Sequence, residues 1–180
     1  MTADKNDTDP GALPGVVQEH PQRYRFADGK SLQESIIGRG GIGRVLLVED
    51  QHLQRQVALK ELLPESTSEA ESPTELPTST RATERVLREA RTTGQLEHPN
   101  IVPVHELGQR ADGTLYYTMK VVRGRTLSRA LKSSQSLEDR LKLLPHFVGL
   151  CQAIAYAHDR GVIHRDIKPA NVMVGQFGET

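Results

Sequence analysis

Residues 162–173 (VIHRDIKPANVM) form a polar segment between two apolar runs, and this segment constrains the fold more than any other part of the chain. An apolar helical pattern precedes it and a strand-like run follows it. Few structural needs place so many polar groups together, so the segment indicates a catalytic loop. Its candidate side chains are His164, Arg165, Asp166, Lys168 and Asn171.

The groups in this loop suit in-line phosphoryl transfer, in which a protein mainly positions the reactants and stabilises charge. Asp166 is suited to accept the proton of an attacking hydroxyl. Lys168 is suited to neutralise charge on the transferred phosphoryl group, and Asn171 can supply a neutral oxygen to Mg²⁺.

Residues 37–45 (IGRGGIGRV) carry the spacing G-x-G-x-x-G at Gly38, Gly40 and Gly43. A dinucleotide-binding fold uses the same spacing, but there the last glycine opens a helix. Here the run Val45–Val48 is typical of a strand, which argues against a dinucleotide-binding oxidoreductase. The resulting hairpin lets backbone N–H groups approach phosphates closely, although an ordinary glycine-rich hairpin has the same pattern.

A lysine ends the strand-like run VALK at residues 57–60. Strand alternation places Ala58 and Lys60 on one face, so Lys60 can pair with phosphates if the glycine hairpin covers that face. The helix predicted over residues 82–96 carries Glu89 beside apolar neighbours, and this carboxylate can face inward to orient the ammonium group. A solvated surface lysine and glutamate are the alternative at this point.

Apolar patterning predicts the remaining elements. Strand-like runs lie at residues 35–37, 45–48, 57–60, 101–107 and 115–122. Apolar residues at three- or four-residue spacing predict a long helix over 137–158, with Ser136 as N-cap and Gly161 as a C-terminal stop. Pro145 inside this pattern predicts a kink or a late start.

Composition restricts the class of protein. The 180 residues include 23 basic and 23 acidic side chains, so the chain has no electrostatic footprint for nucleic acid or an anionic membrane. No apolar run approaches the roughly 20 residues that span a bilayer, and the N-terminus lacks the apolar core of a signal peptide. The single Cys151 lies in an apolar helical pattern and is predicted to be a buried, reduced thiol. These features predict a soluble, cytoplasmic chain.

Two segments are predicted to be disordered. Residues 1–22 are rich in Asp, Thr, Pro and Gly without a period, and we interpret them as a leader. Of the 17 residues at 64–80, 15 are Pro, Glu, Ser or Thr, so this segment cannot bury apolar surface and is interpreted as an insertion in a surface loop.

With the glycine hairpin, VALK and HRDIKPAN in this order, residues 24–180 resemble the eukaryotic-like protein kinases, particularly the bacterial serine/threonine type. The resemblance implies an α+β fold. An antiparallel five-stranded N-lobe with one helix, followed by the hinge, would occupy residues 23–122. Residues 123–180 would supply the first helices and the catalytic loop of a helical C-lobe, ending before the Asp-Phe-Gly motif of the family.

The same resemblance implies ATP and Mg²⁺ as cofactors. The nucleotide would be bound by Ile37, Gly38, Gly40, Gly43, Val45, Ala58, Lys60, Glu89, Met119, Lys120 and Val122. Among these, Met119 matches the gatekeeper, and Lys120 and Val122 would contact adenine through their backbone.

For the catalytic loop, the resemblance implies that Asp166 is the catalytic base, Lys168 a second catalytic residue and Asn171 a metal ligand. Arg165 resembles the arginine that, in many relatives, grips an activation-loop phosphate. The implied partner is a protein substrate that presents Ser or Thr hydroxyls.

The Asp-Phe-Gly motif does not follow Asn171. The run at 172–174 matches the first strand of the hairpin that would precede it, and residues 175–179 match the turn. One neutral ligand makes a poor Mg²⁺ site, so this chain alone is predicted to be inactive. The apolar stripe of 137–158 is predicted to be exposed and prone to self-association. The alternative is a non-catalytic nucleotide-binding or regulatory module that acts with another chain. Full-length relatives often carry a membrane anchor further downstream.

Overall fold

The computed structural model describes residues 13–20, 22–40, 43–62, 78–175 and 180. Its strands are β1 (Val17–Gln18), β2 (Tyr24–Phe26), β3 (Ile36–Gly40), β4 (Gly43–Asp50), β5 (Arg55–Leu62), β6 (Val104–Gln109), β7 (Leu115–Lys120), β8 (Gly124–Thr126) and β9 (Met173–Gly175). Its helices are α1 (Leu32–Ser35), α2 (Thr78–Gly94), α3 (Leu127–Ser133), α4 (Leu137–Leu141) and α5 (Leu144–Asp159).

A twisted sheet forms the first part of the chain. Its strands lie in the order β1-β6-β7-β5-β4-β2, and β3 also pairs with β4. All pairings among β3, β4, β5, β6 and β7 are antiparallel, whereas β1 runs parallel to β6. The predicted antiparallel five-stranded N-lobe is therefore confirmed, and the short strands β1 and β2 widen it.

Alternation along the strands gives this sheet two apolar layers. The first layer consists of Leu46, Val48, Val57, Leu59 and Tyr116. The second layer, between the opposite face of the sheet and α2, consists of Val86, Leu87, Ala90, Leu115 and Tyr117. Because α2 packs on the second layer, any residue on its inward side lies against the face that carries Lys60.

Helix α2 begins four residues before the predicted start and ends two residues before the predicted end. Residues 78–80 therefore belong to the helix and not to the disordered insertion, which corrects the sequence prediction at its C-terminal boundary. The helix ends at Gly94, which has a low helix propensity. Residues 64–77 of the predicted insertion lie outside the described residues.

The prediction that residues 1–22 are a disordered leader is wrong for those of them that the structure describes. Residues 13–20, which we call the N-terminal strap, lie along β6 and α2. Within the strap, Val17 and Gln18 form β1, and Leu13 and Val16 pack against the layer under α2. Arg91 of α2 donates a hydrogen bond to the carbonyl of Pro14 at 2.6 Å. The three apolar residues of the strap gave no recognisable pattern, because polar residues, Pro and Gly dominate residues 1–22. Residues 1–12 lie outside the described residues.

The long helical pattern at 137–158 is divided between α4 and α5. Ser136 caps α4, and it exchanges hydrogen bonds with Asp139 in a capping box. Pro145 lies in the first turn of α5, where a missing backbone N–H costs nothing, so the predicted late start is observed. Gly161 follows α5 with a positive φ of 72°, as expected for a C-terminal stop.

The prediction that Cys151 is buried is wrong, because this thiol is exposed. The inward side of α5 is formed by Gly149, Ala153 and Ala157, and Cys151 lies on the other side. The helix carries apolar residues on both sides, so periodicity could not identify which side packs inward. The outward side leaves Leu144, Phe147 and Val148 more than half exposed, together with Leu137 of α4.

The loop between α2 and β6 contacts α5. The backbone N–H of Glu97 donates to the hydroxyl of Tyr156 at 3.1 Å, and the side-chain amide of Asn100 donates to the carbonyl of Gly149 at 3.2 Å. The ring of His98 lies 5.4 Å from that of Tyr156. Within the described ranges, no helix combines the length and the apolar character needed to cross a bilayer.

Candidate active site

A partly exposed ion pair joins the sheet to α2. The ammonium group of Lys60 on β5 lies 2.6 Å from Oε1 of Glu89 on α2. Lys60 is 21% exposed and Glu89 is 40% exposed, so both charges retain contact with water. This pair is as predicted from the sequence, since Glu89 lies on the side of α2 that faces the sheet.

Strand register brings the other candidate residues of the sheet onto the face of Lys60. Val45 lies opposite Lys60 across the β4–β5 ladder, and Gly38 lies opposite Val45 across the β3–β4 ladder. Ala58 lies two residues before Lys60 and opposite Met119 of β7. This face therefore presents a small residue, a β-branched residue and a lysine in neighbouring positions.

The glycine hairpin closes this face on one side. Strands β3 and β4 pair up to Gly40 and Gly43, which are register partners, so the two antiparallel strands predicted for the hairpin are observed. A Cβ atom added at Gly38 would lie 3.6 Å from Val45, in ordinary contact. Ile37 is 54% exposed at the start of the hairpin. Residues 41–42 at the tip lie outside the described residues.

The end of β7 and the segment after it carry the remaining candidates for nucleotide contact. Met119 packs against the layer under α2. The backbone N–H of Lys120 donates to the carbonyl of Pro103 at 3.1 Å, so this amide is not available to a ligand. Val122 follows in a segment that is neither helix nor strand, and such a segment leaves backbone groups for other partners.

A second cluster lies in the loop after α5. The ammonium group of Lys168 is 2.9 Å from Oδ1 of Asp166. The side-chain nitrogen of Asn171 donates to Oδ2 of Asp166 at 2.9 Å and to its carbonyl at 2.8 Å. The backbone N–H of Asp166 donates to Nδ1 of His164 at 3.3 Å. Four of the five polar residues predicted for this loop are thus in direct contact.

The fifth, Arg165, adopts a positive φ of 65°. This conformation is uncommon for a residue with a Cβ atom, and such residues concentrate at functional sites. Because Arg165 directly precedes Asp166, the unusual φ affects the direction in which the carboxylate of Asp166 points.

Contacts with the loop lower the pKa of Asp166. Its hydrogen bond from Lys168 has the largest effect, and the hydrogen bond from Asn171 adds to it. Both favour the ionised form, so the carboxylate is ready to accept a proton or a cation at neutral pH.

The loop offers a metal ion little by itself. Because the nitrogen of Asn171 contacts Asp166, its amide oxygen is the atom that can bind a cation. No group of three or more His, Cys, Asp or Glu residues suited to a metal occurs among the described residues. Mg²⁺ prefers several oxygen ligands and commonly shares them with phosphates, so the fit here is partial and needs a phosphate-bearing ligand.

The group of residues around Lys60 and Glu89 includes one that was not identified from the sequence. The hydroxyl of Tyr117 donates to Oε1 of Glu89 at 2.9 Å, and Lys60 lies 5.6 Å from the centre of its ring. Strand alternation could have found it, because Tyr117 lies two residues before Met119 and therefore on the same face.

Comparison with known proteins identifies the family. The model of the protein kinase domain matches residues 32–179. The chain belongs to the protein kinase family. Curated relatives of this kinase chain include the serine/threonine-protein kinases PknD of Protochlamydia amoebophila (37% identical over 154 residues, covering 79% of this chain) and of Chlamydia pneumoniae (39% identical, covering 80%). The chain spans about 15% of the length of these relatives.

A solved structure supports the same fold. The apo form of PpkA-294 matches 93% of this kinase chain and 59% of its own chain, with a TM-score of 0.66 and 23% sequence identity. The predicted kinase-like α+β architecture is therefore confirmed. Protein kinases in general use ATP and Mg²⁺ and act on protein hydroxyl groups.

Proposed function

We propose that this chain forms the ATP-binding part of a serine/threonine protein kinase domain, which transfers the γ-phosphoryl group of ATP to Ser or Thr hydroxyls of a protein. The observation that carries the proposal is the 2.6 Å contact between Lys60 and Glu89 on the sheet face bordered by the glycine hairpin. This contact would keep a cation near the phosphates under the hairpin.

Different residues of the sheet face would contact different parts of the nucleotide. Ile37, Val45 and Ala58 would pack on the adenine and ribose, while the glycines would let backbone amides reach the phosphates. Met119 would limit the depth of the site. Since the amide of Lys120 is already bonded, adenine would be read by other backbone groups of the segment 120–122.

The catalytic loop would supply the group that accepts the proton of the substrate hydroxyl. The substrate hydroxyl would lose its proton to Asp166, whose carboxylate is kept ionised by its neighbours. As the new oxygen–phosphorus bond forms, the bond between the γ-phosphorus and the bridging oxygen breaks and ADP leaves. Lys168 lies 2.9 Å from Asp166 and would offset negative charge on the transferred group. Mg²⁺, held by the phosphates and the amide oxygen of Asn171, would neutralise phosphate charge.

Binding of a fluorescent ATP analogue tests this proposal. We expect Lys60→Met to weaken binding at least about tenfold, because the site loses its phosphate-facing charge. Lys142→Met is the matched control, since Lys142 pairs with Glu138 on the exposed side of α4. Equal affinity of the parent and Lys60→Met would contradict the assignment.

Transfer of radiolabelled phosphate separates the proposal from its alternative. The described residues supply one neutral metal ligand at the loop, which favours a non-catalytic or regulatory nucleotide-binding module as the second candidate for the chain alone. Binding of the analogue without transfer supports that second candidate. Transfer that Asp166→Ala abolishes supports catalysis by the chain itself.

Three broader assignments belong to the same proposal. The N-lobe with its hinge would occupy residues 23–122, with the strap of residues 13–20 attached to it, and the partial C-lobe would occupy residues 123–180. The domain would act in the cytoplasm, where ATP is available. The exposed apolar side of α4 and α5 would lead the isolated chain to associate with a second copy of itself.

A further inference from the structure

Tyr117 lies at the centre of the contact between the sheet and α2. It is the register partner of Lys60 in the β5–β7 ladder, so both side chains emerge on the same face. Its hydroxyl donates to Oε1 of Glu89, which also accepts the hydrogen bond from Lys60. One carboxylate oxygen thus accepts from a charged donor and from a neutral one.

The two donors differ in how firmly they are held. Tyr117 is 5% exposed and packs among Val86, Leu87, Ala90 and Leu115. Lys60 reaches Glu89 through a long flexible side chain, and both members of that pair contact water. Ion pairs of this kind constrain their partners weakly, because water and salt screen them. A phenol with two side-chain torsions, enclosed by packed residues, is the more rigid donor.

The hydroxyl of Tyr117 keeps its proton under all working conditions. Burial raises the pKa of the phenol strongly, and the charge of Glu89 raises it further. The protonated phenol therefore acts as the donor to the ionised carboxylate.

We infer that Tyr117 is a positioning residue that holds Glu89, and with it α2, in place independently of Lys60. The inference rests on the proposed function, in which the ammonium group also serves phosphates. When Lys60 contacts the phosphates of a nucleotide, the hydrogen bond from Tyr117 still holds the carboxylate of Glu89. The orientation of Glu89 therefore does not have to be re-established at each binding event. The tyrosine touches neither the nucleotide nor the substrate in this role; it acts through Glu89.

The test compares Tyr117→Phe with Tyr116→Phe. Phenylalanine keeps the ring and removes the hydroxyl in both variants. Tyr116 is equally buried on the same strand, but its hydroxyl contacts Glu106 on the opposite face of the sheet, 3.4 Å away. We expect Tyr117→Phe to weaken binding of the fluorescent ATP analogue about three- to tenfold, whereas Tyr116→Phe stays within twofold of the parent.

A double-mutant cycle distinguishes positioning from a general structural effect. In a Glu89→Ala background, Tyr117→Phe should change the affinity less than twofold, because the group that it positions is absent. Equal loss in the two backgrounds, or no loss in either, would overturn the inference.

Amide hydrogen exchange supplies a readout that needs no nucleotide. Without ligand, Tyr117→Phe should speed exchange in residues 84–94 of α2 severalfold, and Tyr116→Phe should not. If the parent fails to bind the ATP analogue, the proposed function fails, while faster exchange in Tyr117→Phe alone still supports the positioning role. Unchanged exchange in α2 would overturn it.

Should Tyr117→Phe fail to fold, the parent protein supplies the decision. The hydroxyl proton of Tyr117, protected by burial and bonded to a carboxylate, should give a slowly exchanging downfield proton resonance that Glu89→Ala removes. A parent spectrum without this resonance would overturn the inference.

Discussion

Asp166 receives contacts that act on its charge and on its position separately. Lys168 supplies a nearby positive charge, whereas Asn171 supplies a neutral hydrogen bond to the same carboxylate and a second one to the backbone. The positive φ of Arg165 turns the chain just before this residue. The carboxylate is therefore exposed to solvent and yet restricted in direction, which is what a proton acceptor for an incoming hydroxyl needs.

Removing the positive charge should raise the pKa of Asp166. In Lys168→Met the largest cause of the lowered pKa is lost, so the pKa should move up toward its ordinary value of 3.8. Carbon-detected NMR titration of labelled Asp measures this directly. Lys142→Met is the control, because Lys142 contacts carboxylates of α4 only.

The lowered pKa of Asp166 also determines how this group contributes to folding stability as the pH changes. The folded pKa of Asp166 lies below its unfolded value, so the ionised group favours the folded state above roughly pH 4, and this contribution disappears as the pH falls through the folded pKa. An unchanged titration in Lys168→Met would show that the lysine does not reach the carboxylate in solution.

Single residues were predictable from sequence where one spacing rule decided their position. Glu89 could be selected because its place in the helix fixes its direction, and Lys60 because strand alternation fixes its face. Tyr117 was missed because its hydroxyl partner lies on another element, 28 residues away along the chain. Cys151 was assigned to the wrong side because α5 is apolar on both sides.

At the scale of elements, the proposed catalytic loop lies between α5 and a small two-stranded sheet. Strands β8 and β9 are antiparallel, with Gly124 opposite Gly175. A Cβ atom added at Gly124 would lie only 2.0 Å from the carbonyl oxygen of Val174. The close approach of these backbones therefore requires glycine at this position.

We expect Gly124→Ala to separate β8 from β9 and to lower the free energy of unfolding by about 2 kcal/mol, as overpacking commonly does. Urea denaturation measures the loss, and hydrogen exchange should rise at residues 173–175. Gly94→Ala is the matched control, because a Cβ atom there meets Val104 at 4.0 Å and α2 gains a better helix former. Equal stability of the parent and Gly124→Ala would contradict the expectation.

Elements with a strong period were predictable, and their boundaries were less so. Strands β4, β5 and β7 were predicted from short runs of apolar residues, and Pro145 predicted the late start of α5. The start of α2 was placed too late, since the residues before it are poor helix formers in isolation. Strand β1 was missed because two residues carry no period, and only its partner β6 makes them a strand.

At the scale of the whole molecule, the loop between α2 and β6 ties the sheet to α5. Hydrogen bonds from Glu97 and Asn100 reach α5 at separate points, and the ring of His98 lies near that of Tyr156. Because α2 continues directly into this loop, these contacts connect α5 with the helix that carries Glu89. The order of three motifs along the chain was enough to predict this architecture, but these contacts required coordinates.

The outward apolar side of α4 and α5 should make the isolated chain associate. Replacing Phe147 and Val148 together by Gln should weaken association at least about tenfold, because both side chains are more than half exposed and would be buried between copies. Sedimentation velocity over a range of concentrations measures the change. Leu53→Gln is the control, since Leu53 is 60% exposed on the turn after β4. A parent that stays monomeric throughout would disprove self-association.

The strap has a further effect that concerns aggregation. Without Val17 and Gln18, the outer edge of β6 would present unpaired backbone groups to any neighbouring chain. This strand of two residues pairs with the edge at Gly108 and Gln109 and is itself too short to recruit another strand. Expression of this domain from a start site after residue 20 should therefore favour fibrous or amorphous deposits, even though every residue of the proposed nucleotide site would still be present.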